Sequence, residues 1–483
     1  MASSDESSAP GGLLAPELLD DILRAALARG AEFADVYAEQ AYYAGVVSDD
    51  RKITSATRKE GGVGIRVVKN GHTYYALAAS ADPAELVGLA RQVADAAEAE
   101  RERDVAVRIR PAESPLGGQF TRDSAQVGMD EKLAIVRAGE ELAWSGDDRV
   151  RQASVRFADH VRHVQIASSY TRTVVEQTLG LSEYHAVVYA GSAGRLQMGT
   201  AGRAMYGGPE CFTGDDSFEA LTKRARENAF FQLDAEDAPR GMMPVVFSRG
   251  ANGVLFHEAC GHGMEADLIE RGSAFAGQLG KPVASDLVTL LDDGTIPHAP
   301  GSFGVDDEGV PAQKTVLVDR GVLVNHMHSL VTAMRASAAP TGNGRRENYR
   351  YPPIPRMRNT YIAAGESAPE AIIAATDRGL YAQESGWGGQ VDIVTGQFTT
   401  GVQVAWLIEH GRLVRPVRGA TISGVGIDVL KGIDMVGRDL EVTKMSGRCG
   451  KGQAVPVGVG MPTVRVRSVL VGGKGDAWKG DRT

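Results

Sequence analysis

The stretch His257-Glu258-Ala259-Cys260-Gly261-His262 reads H-E-x-x-x-H, and the interpretation of the whole chain depends on it. It follows an apolar run, residues 243–248, that predicts a strand, and a turn in which Asn252 is predicted to cap a helix. Two imidazoles beside a carboxylate supply what a hydrolytic zinc site needs: neutral nitrogen ligands and a base. The stretch therefore predicts a metal-binding helix that follows a strand and a short turn, with Glu258 as the base.

The spacing of the two histidines differs from that of the zinc-protease signature H-E-x-x-H. Positions i and i+5 lie about 140° apart around an ideal α-helix, whereas positions i and i+4 lie about 40° apart. His257 and His262 can share a metal only if the helix widens locally, which a π-helical turn would achieve. Gly261 and Gly263 are the residues expected to permit this turn. The alternative is two surface histidines beside a solvated Glu258.

Composition excludes several classes of protein. The chain has 483 residues, of which 43% are apolar, and a net charge of −9, which argues against nucleic-acid partners and attraction to anionic membranes. No apolar run reaches the roughly 18 residues of a membrane helix. Residues 1–12 lack the features of a signal peptide and predict a disordered tail. Because three cysteines are too few for a disulfide framework, we expect a soluble cytoplasmic protein.

Hydrophobic periodicity predicts an α+β fold with two domains. In residues 13–240 the order helix, strands, helix occurs twice, which suggests an internal duplication. A proline-containing stretch, residues 239–244, marks the expected boundary. Residues 241–483 read mostly as short strands joined by turns, with helices predicted at 364–377 and 424–435. We therefore expect the second domain to be antiparallel, rich in β-structure, and the carrier of the metal site.

A catalytic zinc ion needs a third protein ligand and one open position. The side chains that could supply this ligand are Glu265, His326, His328, Cys260 and Cys449. A thiolate from Cys449, in the loop 445–452, would bind zinc well. Cys260 falls between the two histidines and is interpreted as a small buried apolar residue. The residues alone leave Cys449 and Glu265 as open alternatives.

Further motifs resemble a known family. From His257 to its end the chain resembles the TldD subgroup of the TldD/PmbA family of metalloproteases, with motifs in matching order over nearly the whole C-terminal half. The matching stretches are His257 to His262, Gly301-Ser302-Phe303, Asp307-Glu308-Gly309, 342–346, Pro355-Arg356-Met357, Asn359-Thr360-Tyr361, 388–392, 416–421, Cys449-Gly450 and 455–460.

The resemblance implies a site and an activity. In that family the two histidines of H-E-x-x-x-H and a distant cysteine hold zinc, which implies His257, His262 and Cys449 as ligands, with Glu258 in the position of the general base. It implies a peptidase for short or unfolded peptides, including peptide-antibiotic precursors and labile antitoxins. It also implies a partner subunit of the TldE (PmbA) type, which lacks the metal motif, or alternatively a second copy of this chain.

Other functions and roles stay open at this point. A non-catalytic peptide-binding subunit with a structural zinc ion would need a fourth ligand, for which Glu265 is the candidate. An oxidoreductase is disfavoured, because no G-x-G-x-x-G lies between a predicted strand and a helix. Candidate oxyanion donors are Tyr349, Tyr351, Arg345 and Arg346. The basic segment 345–358 could instead bind a peptide carboxylate, or form a proline-rich surface loop with solvated arginines.

Glycines in the C-terminal half suggest how a substrate would bind. Glycine lets another backbone approach closely, so a peptide could be held as an added strand beside the metal. We therefore expect cleavage of extended peptides with a loose sequence preference. The glycines on which this expectation depends are Gly386, Gly388, Gly389, Gly401, Gly424 and Gly426.

Overall fold

The computed structural model of the protein describes residues 13–97, 105–114, 127–443 and 447–478. It is an α+β structure with a C-terminal half rich in strands, as predicted. The tail predicted at residues 1–12 lies outside the described residues. No helix in the described ranges combines the length and the apolar character needed to span a lipid bilayer.

A seven-stranded sheet occupies the N-terminal half. Its central order is β3-β2-β1-β5-β6, and the far edge of β6 pairs with both β7 and the short β4. The strands are β1 (Phe33–Asp49), β2 (Lys52–Lys69), β3 (His72–Ala78), β4 (Arg110–Ala112), β5 (Val150–Ser168), β6 (Thr173–Ser192) and β7 (Arg195–Tyr206).

The order of elements in this half repeats. A helix, three antiparallel strands and a helix occur twice, and the two units meet where β1 pairs antiparallel with β5. This matches the repeated order seen in the sequence. In the second helix, the side chain of Asp82 accepts a hydrogen bond from the backbone N–H of Glu85, which fixes the start of the helix. The helices are α1 (Pro16–Leu27), α2 (Pro83–Ala96), α3 (Met129–Trp144) and α4 (Phe218–Asp234).

The C-terminal half consists mainly of short strands. In chain order they are β8 (Glu236–Asp237), β9 (Gly241–Phe247), β10 (Leu290–Asp293), β11 (Lys314–Asp319), β12 (Val322–Leu323), β13 (Gly344–Arg345), β14 (Ile354–Pro355), β15 (Asn359–Ile362), β16 (Arg378–Asp392), β17 (Gln397–Glu409), β18 (Arg412–Arg418), β19 (Ala420–Val425), β20 (Ile433–Val436), β21 (Glu441–Thr443), β22 (Arg448–Gly450), β23 (Ala454–Pro456), β24 (Gly458–Met461) and β25 (Val464–Gly472). The helices are α5 (Val254–Phe256), α6 (Ala266–Glu270), α7 (Leu330–Ala336), α8 (Pro369–Ala374) and α9 (Gly426–Gly432).

These strands form two main sheets. In the larger sheet β16 pairs with both β9 and β17, so that β16, β9, β25, β19 and β17 close into a ring. The smaller sheet has the order β12-β11-β10-β15-β24-β21. Most pairings are antiparallel, as expected, but β8–β18, β9–β16 and β15–β24 are parallel. The chain already enters the larger sheet at β8, before the predicted boundary between residues 240 and 241, and that boundary stays a prediction.

Both predicted C-terminal helices are shorter than expected. The structure has helices only at Pro369–Ala374 and Gly426–Gly432 within the predicted segments 364–377 and 424–435. The second prediction extended too far because Ile433–Val436 pairs with β25 as a strand. Neighbouring strands therefore overrode the local helical pattern at that end.

The predicted metal-binding helix lies inside the main core of the C-terminal half. Leu255, Phe256 and Ala259 are buried there among the strands of the larger sheet. The two halves are joined by a buried ion pair, in which Arg66 of β2 donates to Glu308 at 2.7 Å. The site is thus built on a packed element rather than on a surface loop.

Candidate metal centre

The stretch that carries the histidines changes its helical winding at the site. A short α-helical turn, Val254–Phe256, is followed by a π-helical turn, His257–Gly261. The backbone N–H of His262 donates to the carbonyl of His257, five residues earlier. The predicted widening of the helix is confirmed, and it places the two imidazole rings 5.0 Å apart between centroids.

Asn252 does not cap this helix, contrary to the prediction. Its side-chain amide donates to the carbonyls of Ser248, Ala382 and Gln383 at 2.9, 3.0 and 3.3 Å. The amide therefore fastens the turn after β9 to strand β16. A buried Asn can satisfy three carbonyls at once only where two backbone segments converge, and the local sequence gives no sign of this.

The two glycines of the stretch serve packing. Gly261 has φ −56°, which any residue adopts, so the π-helical turn does not require glycine there. A Cβ atom on Gly261 would overlap the sulfur of Met357, and one on Gly263 would lie 2.6 Å from the ring of Phe275. Glycine is therefore needed at both positions because buried side chains press against the helix.

Three donor atoms converge beside the π-helical turn. The Sγ of Cys449 lies 3.1 Å from the Nε2 of His257 and 3.1 Å from the Nε2 of His262. All three atoms lie within 4.8 Å of one another, and the three residues are buried. We call His257, His262 and Cys449 the ligand cluster.

The ligand cluster fits a zinc ion in donor type and spacing. Zinc–nitrogen bonds of about 2.1 Å and zinc–sulfur bonds of about 2.3 Å separate the two donors by about 3.6 Å across a tetrahedral ion. The observed separations of 3.1 Å would have to open by about half an ångström, which side-chain rotation can supply. Two imidazoles and a thiolate leave one coordination position open, as hydrolytic sites do.

The other candidate ligands lie elsewhere. Glu265 Oε2 is 3.0 Å from the Nδ1 of His262, the ring nitrogen opposite to the one that faces Cys449. The rings of His326 and His328 lie 6.1 Å apart and belong to no donor group found in the described ranges. Cys260 is fully buried in the apolar core. Glu265 is thus placed to orient a ligand and not to close the site as a fourth one.

Charges within the metal-free cluster are strongly coupled. Burial alone would raise the pKa of Cys449, but the adjacent imidazoles of His257 and His262 lower it to about 4. Burial would lower the pKa of His262, but Glu265 and Cys449 raise it to about 10. The cluster therefore holds a thiolate next to an imidazolium at neutral pH, and a cation that replaces the proton keeps the thiolate paired.

Glu258 lies on the π-helical turn beside the cluster and contacts strand β16. Burial raises the pKa of its carboxyl group, and the imidazoles of His257 and His262 partly offset this effect. A Cβ atom on Gly389 would lie 2.6 Å from the Cγ of Glu258, so only glycine leaves room for this side chain. A carboxyl group with a raised pKa in a cleft suits proton transfer near neutral pH.

The cluster opens into a cleft between the two halves of the chain, which we call the metal cleft. Its volume is about 760 Å³. One wall comes from strand β7 of the N-terminal sheet, at Thr200, Ala201, Gly202 and Arg203. Strand β16 also lines the cleft, together with Glu258 and the ligand cluster. The N-terminal half, in which the sequence indicated no site residues, thus supplies part of the wall.

The arginines of segment 345–358 do not reach this cleft. Arg345 and Arg346 are fully buried, and both donate to backbone carbonyls. Tyr349 is buried in a separate apolar cluster. None of these residues lines the metal cleft, and neither does Tyr351. Both predictions for the two arginines are wrong, because they are neither substrate-binding nor solvated but hold loop carbonyls in the interior.

The sequence analysis missed Lys451 and Arg356, and it named Glu265 only as a possible metal ligand. Lys451 lies 2.9 Å from Glu265 Oε2, and Arg356 donates to the carbonyl of Cys449 at 2.6 Å. Glu265 follows His262 by three residues, which is a spacing that places side chains on one helix face and could have been noticed. Lys451 and Arg356 gave no comparable signal, because their partners are remote in sequence.

Sequence comparisons find relatives along most of the chain. A family model described as the PmbA/TldA metallopeptidase C-terminal domain matches residues 240–473, and one described as PmbA/TldA metallopeptidase domain 1 matches residues 34–108. The metalloprotease TldD homolog of Haemophilus influenzae is 35% identical over 453 residues, covering 92% of this chain and 94% of that protein.

Solved structures share the fold. A protein of Thermotoga maritima, described as a proposed modulator of a DNA gyrase, superposes with a TM-score of 0.76 at 22% identity, covering 94% of this chain and 99% of that one. TldE from Thermococcus kodakarensis superposes with a TM-score of 0.73 at 18% identity, covering 94% of this chain and 99% of that one. At these identities the likeness concerns the fold alone.

Proposed function

The chain belongs to the TldD/PmbA family and is a metalloprotease, and from this premise we propose that it is a zinc peptidase acting on short or unfolded peptides. In this proposal His257, His262 and Cys449 hold the zinc ion and Glu258 is the general base. One observation carries it. Two imidazoles, a cysteine sulfur and a carboxyl group with a raised pKa together line one open cleft.

The mechanism assigns proton transfer to Glu258. When bound, a zinc ion supplies Lewis acidity to a water molecule and to the substrate carbonyl. Glu258 accepts a proton from the attacking water and returns it to the leaving amine. Burial favours the first step, because it raises the pKa of the carboxyl group and so makes Glu258 a stronger base toward the attacking water. Gly389 keeps the space that this side chain occupies.

A strand edge beside Glu258 supports binding of an extended substrate. Strand β16 pairs with β17 along most of its length, whereas its other edge pairs with β9 only from Leu380 to Ala382. Beyond that point Ser385, Gly386, Gly389 and Gln390 line the metal cleft. An extended peptide could add to this edge through main-chain hydrogen bonds, which are the same for every sequence. Loose sequence preference follows from this mode of binding.

A partner and a compartment complete the proposal. We propose that the chain works with a subunit of the TldE (PmbA) type or with a second copy of itself, and TldE from Thermococcus kodakarensis shares its fold. We place it in the cytoplasm, because a thiolate ligand persists best in a reducing compartment and Cys211, Cys260 and Cys449 form no disulfide bond in the described part of the chain. Purification from the native source, with the mass of the intact assembly measured, identifies the partner.

The test of the function is the variant Glu258→Gln, assayed on an unstructured fluorogenic peptide with zinc content measured alongside. We expect unchanged zinc content and a kcat lower by at least about 10²-fold, the lower end for general acid–base catalysis. The control is Glu370→Gln, an exposed position in the first turn of α8, which should leave both quantities unchanged. Near-normal turnover by zinc-loaded Glu258→Gln would contradict the role of Glu258.

A further inference from the structure

The hairpin that carries Cys449 has no sheet to hold it in place. Strands β22 and β23 pair with each other and with no other strand in the described ranges. Its position against the histidines therefore depends on side chains. Arg356 fastens one side of it, donating to the carbonyls of Cys449 and Gln453 at 2.6 Å each.

Lys451, two residues after Cys449, makes the contact that reaches the histidines. Its ammonium group lies 2.9 Å from Glu265 Oε2, 2.9 Å from Asp267 Oδ1 and 2.5 Å from the carbonyl of Pro355. The ammonium group donates hydrogen bonds to Asp267 and to the carbonyl of Pro355, and it pairs with the Glu265 carboxylate as a salt bridge. Most of this side chain is buried, and Glu265 is fully buried.

One carboxylate oxygen joins the two segments that carry ligands. The Oε2 atom of Glu265 forms a salt bridge with Lys451 at 2.9 Å and also lies 3.0 Å from the Nδ1 of His262. The Oε1 atom accepts from the backbone N–H of Met357 at 3.2 Å, which prevents the carboxylate from rotating. A displacement of the hairpin would therefore also disturb the ring of His262.

His257 has no such support. Within the described residues its buried Nδ1 atom has no hydrogen-bond partner. The orientation of the cluster therefore depends mainly on the side of His262 and Cys449, where Glu265 and Lys451 meet. Partners behind a metal ligand fix its ring and typically change metal affinity by about 10- to 100-fold.

We propose that Glu265 and Lys451 act as one unit, the ligand clasp, which fixes Cys449 and His262 in position and governs how long the metal is retained. Both are positioning residues and neither contacts the metal. The inference rests on the proposed ligand set of His257, His262 and Cys449. Without the ammonium group the hairpin moves away from Glu265, so the thiolate leaves the metal more often.

The test measures metal loss and thiolate ligation separately from catalysis. In Lys451→Met we expect transfer of zinc to a chelator to be at least about tenfold faster than in the wild type. In the cobalt-loaded variant we expect a weaker thiolate-to-cobalt charge-transfer band, which reports ligation by Cys449. The control is Lys223→Met, which removes an exposed ion pair with Glu219 on α4 and should change neither quantity.

A double-mutant cycle tests whether the two residues act together. If they form one clasp, the acceleration of metal loss in Glu265→Gln with Lys451→Met is smaller than the product of the two single effects, because both single changes break the same Glu265–Lys451 contact. If the acceleration of metal loss in the double variant equals the product of the accelerations in the two single variants, the two residues act independently and the proposal is overturned. If Lys451→Met alone fails to fold, the double variant replaces it in the metal-release experiment. It leaves fewer unpaired buried charges than Lys451→Met, because the carboxylate of Glu265 is removed together with the ammonium group. If the double variant retains zinc as long as the wild type and shows a full thiolate-to-cobalt charge-transfer band, the proposal of the ligand clasp is likewise overturned.

The clasp and the ligand set fail in different ways. Full zinc occupancy in Cys449→Ala would refute the ligand set on which both proposals rest. If Cys449→Ala loses zinc while Lys451→Met releases it at the wild-type rate, the ligand set stands and only the clasp is refuted.

Discussion

The Sγ of Cys449 lies 3.1 Å from the Nε2 of His257, although the two residues are 192 positions apart in the chain. The contact exists because the π-helical turn directs His257 and His262 to the same side, and because the β22–β23 hairpin covers that side. The donor set is therefore assembled only in the folded chain, and metal binding should be linked to folding.

The first prediction concerns this contact. Cys449→Ala should lose most of its zinc at neutral pH, because only two imidazole ligands remain. Cys260→Ala should keep its zinc, since the Cys260 thiol is buried in the apolar core away from the cluster. The zinc content of each purified variant, measured by elemental mass spectrometry, shows whether Cys449 or Cys260 is the ligand. Loss of zinc in Cys260→Ala with retention in Cys449→Ala would reverse the assignment.

The second prediction concerns the space around Glu258. Gly389→Ala places a methyl group 2.6 Å from the present position of Glu258 Cγ, so the carboxyl group has to move. We expect zinc content to be unchanged and kcat to fall by about tenfold or more, because proton transfer depends on position. Gly88→Ala on α2, which does not line the metal cleft, is the control, since a Cβ atom there meets nothing within 4 Å. Equal activity of both variants would show that Glu258 tolerates displacement.

The third prediction uses the coupled charges of the metal-free cluster. The imidazoles lower the pKa of Cys449 to about 4, so its thiolate is present above that pH and is lost below it. Alkylation of Cys449 in the chelator-treated protein should therefore proceed at a nearly constant rate from pH 8 to pH 5. In the same protein unfolded by urea the rate should fall about tenfold per pH unit below about 8.5, the ordinary pKa of a thiol. Equal pH profiles for the two forms would contradict the coupling.

The fourth prediction tests the packing of the helix. Gly261→Ala should destabilise the protein by about 1–3 kcal/mol, the usual cost of overpacking, because the new methyl group overlaps Met357. Gly88→Ala in the middle of α2 meets nothing within 4 Å and should stabilise it by about 0.5–1 kcal/mol. Urea unfolding of metal-free protein measures both. If Gly261→Ala instead stabilises the protein, the lower conformational entropy of the unfolded chain outweighs the overlap with Met357 at this position.

Local chemistry made parts of this structure predictable. The i, i+5 spacing of His257 and His262 predicted the π-helical turn, because no regular helix brings such a pair together. Residues 241–483 were predicted to be short strands joined by turns, and one such turn lies between β17 and β18, where His410 and Gly411 have φ 51° and 69°. The resemblance to the TldD/PmbA family is confirmed, and this resemblance, rather than residue spacing, singled out Cys449.

Other parts depend on contacts that no local pattern records. One alternative for segment 345–358 was a surface loop with solvated arginines, since charged residues are rarely buried, yet Arg345 and Arg358 both lie in the interior. Arg358 donates to three backbone carbonyls, those of Gly301 and Phe303 in one loop and that of Gly342 in another. Burial of a guanidinium group is tolerable only when such acceptors converge, and their convergence is a property of the complete fold.

The last prediction concerns the form of the substrate. Binding at the open edge of β16 requires an extended chain, and the metal cleft of about 760 Å³ holds a peptide segment but no folded domain. A folded protein would have to unfold locally before its backbone could reach Glu258, against most of its stability. We therefore expect rapid cleavage of short or disordered peptides and resistance of stable domains.

The experiment offers one polypeptide in two forms, folded and destabilised by a core substitution, and follows its proteolysis with time. The destabilised form should be cut faster, in proportion to its unfolded fraction, because opening precedes cleavage. Protease that carries Glu258→Gln should leave both forms intact, which excludes a contaminating peptidase. Equal rates for the two forms at a site buried in the fold would mean that the cleft accepts folded chains, and binding along the edge of β16 would then be wrong.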